Sequence, residues 1–224
     1  EISDYMSKLF PIPELCEYAW NHLASILIGD TAKTQCLHYW NGHGQNGKSM
    51  LVKFMQSILG EYVTDLDISF FVHDRPGRGK ATPELLSLIG ARMAITSEPS
   101  EGEKLNEGPM KQLTSGVDSI SYRGLFKEQE SFVPQCHSVI MANHFLPVRS
   151  TDHGTWRRIV VLSFMSLFTN NPVDDDPDRP YQFKKEDNFE EKFKQWGPLF
   201  LAMLTKRSYV NQGSLIPCKL VQEA

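Results

Sequence analysis

The sequence predicts a three-layer α/β fold: a central parallel sheet covered by helices on both faces. Three observations point there. Short apolar runs bounded by polar residues recur at residues 35–40, 92–97 (RMAITS), 138–142 (SVIMA) and 158–164 (RIVVLSF). Such runs lack the alternation of a half-exposed strand and suit strands buried on both sides, the habit of parallel sheets. Stretches of helical period fall between them, and a glycine-rich turn joins the first strand to the helix after it.

Taken in order, residues 13–28 carry Leu15, Tyr18, Ala19, Leu23, Ile26 and Leu27 at helical spacing, and Gly29 stands where such a helix stops. Residues 48–59 place Leu51, Phe54, Met55, Ile58 and Leu59 on one stripe, ended by Gly60. Residues 83–89 and 105–114 also read as helical. The stretch DSISYRGLFKEQESFVPQ (118–135) alternates, turns and returns, the pattern of a β-hairpin. Residues 170–187, rich in Asp, Pro and Asn, are expected as an exposed loop whose DDDPD run is solvated. A closing helix at 188–204 is expected to break at Gly197-Pro198. The organisation that follows is a helical flank (1–34), a core (35–168) and an acidic loop with a C-terminal helical segment (169–224).

Composition narrows the class of molecule. The 224 residues carry a net charge of −4, so a nucleic-acid site must be a local patch. Cys16, Cys36, Cys136 and Cys218 are scattered without a CxxC pair and read as packed free thiols of a reducing, intracellular compartment. No apolar run approaches the ~20 residues that span a bilayer, so no membrane partner is expected. The chain opens on Glu1 and ends in LIPCKLVQEA, which reads as a segment of something longer.

The turn NGHGQNGKSM (41–50) contains Gly42-x4-Gly47-Lys48-Ser49, the P-loop pattern GxxxxGK[ST]. Glycines let successive backbone N–H groups turn inward around phosphate oxygens, and the following helix aims its positive dipole end at them. Gly42, Gly44, Gln45, Asn46, Gly47, Lys48 and Ser49 are therefore the expected nucleotide-binding residues, with Lys48 across the β- and γ-phosphates and Ser49 on Mg²⁺. A hydrolytic P-loop protein also needs an acid on a neighbouring strand to orient water and support the metal. Glu98, at the end of RMAITSE, suits that role, although Ser97 stands where a second acid would make metal support direct. Asn143 ends SVIMA at the same sheet edge and suits a γ-phosphate sensor. Arg157 and Arg158 enter another buried strand, where paired arginines are costly without partners. One is expected in a structural contact, the other as a finger reaching a neighbouring subunit's γ-phosphate; Arg149 is a weaker candidate.

The series GHGQNGKS, ITSEPSEGEKLNEGPMKQLTSGVDSISYRGLFKEQESFVP, HSVIMANHFLP and DHGTWRRIVVLSF resembles superfamily 3 helicases, nearest to the primase–helicases of poxviruses, other large DNA viruses and satellite phages. The resemblance covers residues 37–164 in collinear order. It implies an AAA+ type P-loop NTPase core with a β-hairpin insertion before sensor 1. It further implies a homo-oligomer, a hexameric ring around single-stranded DNA moving 3′ to 5′ on ATP, often with a primase fused elsewhere. The setting it implies is viral or phage genome replication, in the host cytoplasm or at a viral replication site. In such helicases the hairpin projects into the channel, which here places Arg123 and Lys127 near its tip beside Tyr122 and Phe126. Lys104 and Lys111 lie just before. Cations on phosphates with aromatics on bases suit a single strand. Two other readings share the cradle: a small-molecule kinase or GTPase, and an assembly or initiator ring that binds nucleotide without unwinding.

Overall fold

The computed structural model describes residues 1–74, 81–97, 99–100 and 102–222. Two helices lead, α1 (Ile2–Leu9) and α2 (Pro13–Ser25), followed by β1 (Leu37–Asn41), α3 (Lys48–Leu59), β2 (Val63–Asp65) and the short α4 (Ser69–Val72). A 3-10 segment (Pro83–Leu88) precedes β3 (Met93–Thr96) and α5 (Glu107–Leu113). Next come β4 (Ile120–Arg123), β5 (Gln129–Phe132), β6 (His137–Ala142), α6 (His153–Trp156) and β7 (Ile159–Ser163). The chain closes through β8 (Leu167–Thr169), β9 (Gln182–Lys184), α7 (Glu191–Asn211) and α8 (Lys219–Gln222).

The apolar runs become one five-stranded sheet in the order β2-β3-β6-β1-β7, parallel throughout. Alternation along each strand sends side chains to two different cores. From β1, Trp40 joins Met93, Ile95, Val139 and Leu162 under α1, α2, α3 and α7. Leu37 and Tyr39 instead join Ala94, Ile140 and Val161 under α4, the 3-10 segment, α5 and the β4–β5 hairpin. The three layers thus follow from strands apolar on both faces. The helices outside residues 35–168 complete one of these layers: Phe54 of α3 stacks on Phe193 and Phe200 of α7, each at 4.6 Å.

Local detail departs from expectation in three places. Residues 83–88 wind as 3-10 and not α, with Pro83 at the start. The 170–187 loop contains β9, which pairs in parallel with β8 and brings Phe183 within 5.9 Å of Phe168. Within its acidic run, Asp176 turns inward as an acceptor for the Asp178 and Arg179 N–H groups and for the Gln182 amide. Finally, α7 does not break at Gly197-Pro198 but continues for 21 residues. An interior proline costs ~3 kcal/mol through its missing N–H and ring clash. Burial of Phe193, Trp196, Phe200 and Leu204 on the same helix face outweighs that. Gly197 lets α3 approach, since a Cβ there would lie 3.2 Å from Ile58 Cγ2.

One polar cluster sits inside the fold. His22 of α2, His38 of β1 and His137 of β6 are all buried. The His22 and His38 rings stack with centroids 3.6 Å apart, and the Tyr18 hydroxyl lies 3.0 Å from His38 Nε2. Burial disfavours the imidazolium form, which holds His38 down to about 3 and His137 to about 4, with His22 also well below its ordinary value.

Candidate functional site

β1 ends at Asn41, the glycine turn follows, and α3 begins at Lys48. Two glycines in that turn are sterically required. Gly42 has φ +151, and a Cβ there would lie 2.4 Å from the Phe164 carbonyl oxygen. Gly47 has φ +86, and its Cβ would lie 2.5 Å from Leu9 Cδ1 and 3.3 Å from Phe168 Cε2. The turn is therefore wedged between α1 and β8. The Phe168 N–H donates to the Gln45 carbonyl (2.8 Å), and the Ser166 hydroxyl donates to the Lys8 carbonyl (2.6 Å). Gly44 faces open space. Asn46 is buried, and its side-chain oxygen accepts from the Lys48 N–H at 3.2 Å. Ser49 lies exposed on the first turn of α3.

Lys48 is 9% exposed, and its ammonium donates to the Gly42 carbonyl (2.6 Å), the Ala142 carbonyl (3.1 Å) and Asn143 Oδ1 (3.0 Å). Those bonds join the C-terminal ends of β1 and β6. Adjacency in the sheet, with Asn41 opposite Ala142, is what brings two residues 95 apart in sequence into contact. β3 lies on the far side of β6 and ends at the same sheet edge with Thr96. Glu98 itself falls outside the described residues.

The arginines lie at the opposite edge. β7 runs parallel to β1 with Ile159 opposite Leu37 and Ser163 opposite Asn41, so Arg157 and Arg158 precede the strand where the glycine turn follows one. The intervening strand spans ~13 Å. Arg158 is half-buried and donates to the Gly154 carbonyl, while its own backbone carbonyl accepts from the Leu37 N–H at 2.7 Å. The Arg157 N–H donates to the His153 carbonyl (3.1 Å), but its side chain is exposed and makes no hydrogen bond or ion pair among the described residues; Arg149 is also exposed.

β4 and β5 pair antiparallel, and residues 124–128 form the tip. Phe126 is fully exposed (104%) at φ +58, and Leu125 beside it is 66% exposed. Lys127 is exposed, and the Arg123 Nε donates to the Lys127 carbonyl at 2.9 Å, bracing the tip. Tyr122 points the other way. It is 9% exposed, meets Phe132 edge-on at 5.7 Å and donates its hydroxyl to Glu130. The sequence reading that grouped Tyr122 with the tip is corrected here: strand alternation sends residue 122 to the core while Arg123 turns out. Lys104 is exposed, and Lys111 pairs with Asp152 at 2.8 Å.

Sequence reasoning missed Leu9 and Phe168, which hold the glycine turn from outside the motif. No local pattern marks them, because their role arises only when α1 and β8 meet over Gly47.

Residues 40–158, just over half the chain, match the model of the family described as "Family of unknown function (DUF5906)". The chain belongs to that family. Among curated proteins, it is 31% identical to one named "Putative helicase" in Acanthamoeba polyphaga mimivirus, over 99% of this chain and 24% of the relative. It is 29% identical to a "Putative helicase" of Invertebrate iridescent virus 6, over 84% and 20%. It is 31% identical to a "Putative primase" of African swine fever virus, over 80% and 18%. The chain thus spans a quarter or less of these viral relatives. Among solved structures, an apo form of the NrS-1 C-terminal region superposes with a TM-score of 0.63 at 15% identity, covering 97% of this chain and 48% of that one. That likeness supports the α/β fold.

Proposed function

We propose that this chain is the ATP-hydrolysing motor of a DNA helicase acting in viral genome replication, of superfamily 3 AAA+ type and working as a ring. The observation that carries the proposal is the contact of Lys48 with Asn143. It joins the glycine turn to the end of β6 at one sheet edge, where the γ-phosphate of a bound nucleotide would lie between a cation and an amide. The viral relatives named as helicases and primases support the same reading.

The residues present fit a magnesium nucleoside triphosphate. The turn is held tightly, Gly42 against Phe164 and Gly47 against Leu9 and Phe168, while Gly44 faces open space. The buried Asn46 amide nitrogen has no partner among the described residues. The N-terminus of α3 follows the turn, and Ser49, exposed beside Lys48, would hold the metal. Magnesium, when bound, neutralises charge on the β- and γ-phosphates. Lys48 would exchange its carbonyl partners for phosphate oxygens, Asn143 would hold the γ-phosphate or the attacking water, and Glu98 would orient that water.

The sheet topology supports division of the site between subunits. Arg157 stands at the sheet edge opposite its own glycine turn, which supports its reaching a neighbour's phosphate, while Arg158 serves its own fold. The exposed tip with Arg123, Phe126 and Lys127 is the surface proposed for single-stranded DNA, with translocation 3′ to 5′. The test is ATP turnover with and without single-stranded DNA, alongside an unwinding assay on 3′-tailed duplexes. Lys48→Ala abolishes turnover; a variant that hydrolyses ATP at the wild-type rate refutes the motor reading.

A further inference from the structure

Beside the glycine turn lies a cleft of about 670 Å³ bounded by α1, the β8–β9 ribbon and the start of α7. It is continuous with the cradle, because Gly47, Lys48, Ser49 and Met50 form one of its walls. Its size is that of a small-molecule site, and a triphosphate held on Lys48 directs whatever it carries into this space. We infer that the cleft receives the nucleoside of the bound triphosphate, with the base stacked on Phe168 and the sugar and α-phosphate near Lys184. The inference rests on the nucleotide-binding reading above.

The lining suits that ligand. Phe168 is half-buried, and its ring edge lies beside Gly47, one residue from the phosphate-binding lysine. Its position is fixed by the backbone bond to Gln45 and by contact with Phe183. A preplaced aromatic face takes any base, since every base has a π-face. Opposite, Tyr5 and Phe189 make an aromatic wall with rings 4.9 Å apart. Lys192 lies 5.5 and 5.3 Å over the rings of Phe189 and Trp196 and pairs with Glu186, which keeps its charge at the rim. Asp4 is likewise paired, with Lys8 at 2.9 Å. Lys184 has no ion pair among the described residues and lines the same cleft, leaving a cation for a phosphate or the sugar.

Calorimetric titration with Mg²⁺-ATP and with Mg²⁺-tripolyphosphate, which has no nucleoside, tests this on the intact chain. Phe168→Leu, which keeps apolar bulk against Gly47 but removes the flat ring, weakens ATP by roughly tenfold or more, the scale of one lost base stack. It leaves tripolyphosphate within about twofold of wild type, and Phe168→Tyr restores ATP affinity. Equal loss of both ligands would mean that Phe168 only props the turn, and no loss of ATP would mean that the base lies elsewhere; either overturns the inference. Lys48→Ala separates the two levels. If it weakens both ligands, phosphate binding stands whatever Phe168 does; if it weakens neither, the nucleotide reading falls and this one with it.

Discussion

Arg157 and Arg158 adjoin in sequence yet meet different surroundings, and the difference is one of burial and partners. Arg158 donates inward to Gly154; Arg157 stays exposed. Arg157→Ala should therefore leave thermal stability unchanged and cut ATP turnover on the order of 10³-fold, the scale of a lost arginine finger. Mixing it with Lys48→Ala protomers should restore part of the rate, because each supplies what the other lacks; no rescue with assembly intact would count against a shared site. Arg158→Ala should instead cost about 1–3 kcal/mol of stability in a urea titration, the penalty for an unmade buried bond. Gly47 offers a second test. Gly47→Ala must hold a left-handed backbone, at ~1–2 kcal/mol, and displace Leu9 or Phe168. Lower urea midpoints and loss of ATP binding should appear together; an unperturbed Gly47→Ala protein would contradict the wedged geometry.

Between elements, α2 meets β1 and β6 through the histidine cluster, and acid should separate them. The three imidazoles take up protons in the unfolded chain near pH 6.5 but in the folded one only near pH 3–4 for His38 and His137. Their folded values are depressed, so the stability tied to neutral rings is fully present above pH 6.5. It is lost as pH falls through the window below, at ~1.4 kcal/mol per pH unit for each ring. Urea midpoints should drop steeply between pH 6.5 and 4, and His22→Phe should flatten the slope by about one proton. An unchanged slope in that variant would place the acid sensitivity elsewhere. Helix α7 shows the same dominance of packing over local preference: it passes through Pro198 because its buried aromatic face is worth more than one backbone bond.

At the scale of the molecule, a chain of net charge −4 can engage DNA only where its cations are gathered. The hairpin tip gathers Arg123 and Lys127 around an exposed phenylalanine held at positive φ, a strained arrangement of the kind found at functional sites. Arg123→Ala/Lys127→Ala should leave basal ATP turnover intact and abolish its stimulation by single-stranded DNA, with the apparent affinity of the wild type falling as salt rises. Stimulation that survives the double substitution would move the DNA contact to another surface. Imaging with DNA and a non-hydrolysable ATP analogue would show whether copies close into a ring around the strand.

Much of this was legible along the chain. Runs apolar on both faces mean parallel strands, GxxxxGKS means a glycine turn between a strand and a helix, and a polar residue ending each strand marks one sheet edge. These are local patterns, because they depend on periodicity and on the φ angles that glycine alone accepts. The order of the strands is not local, and it decided which residues meet: β6 beside β1 sets Asn143 against Lys48, while β7 entering from the far edge parts Arg157 from its own cradle. Nor could spacing reveal that Leu9 and Phe168 close over Gly47, or that a helix would run through Gly197-Pro198. Those outcomes depend on contacts between segments far apart in sequence, where burial of aromatic surface outweighs the preference of any single residue.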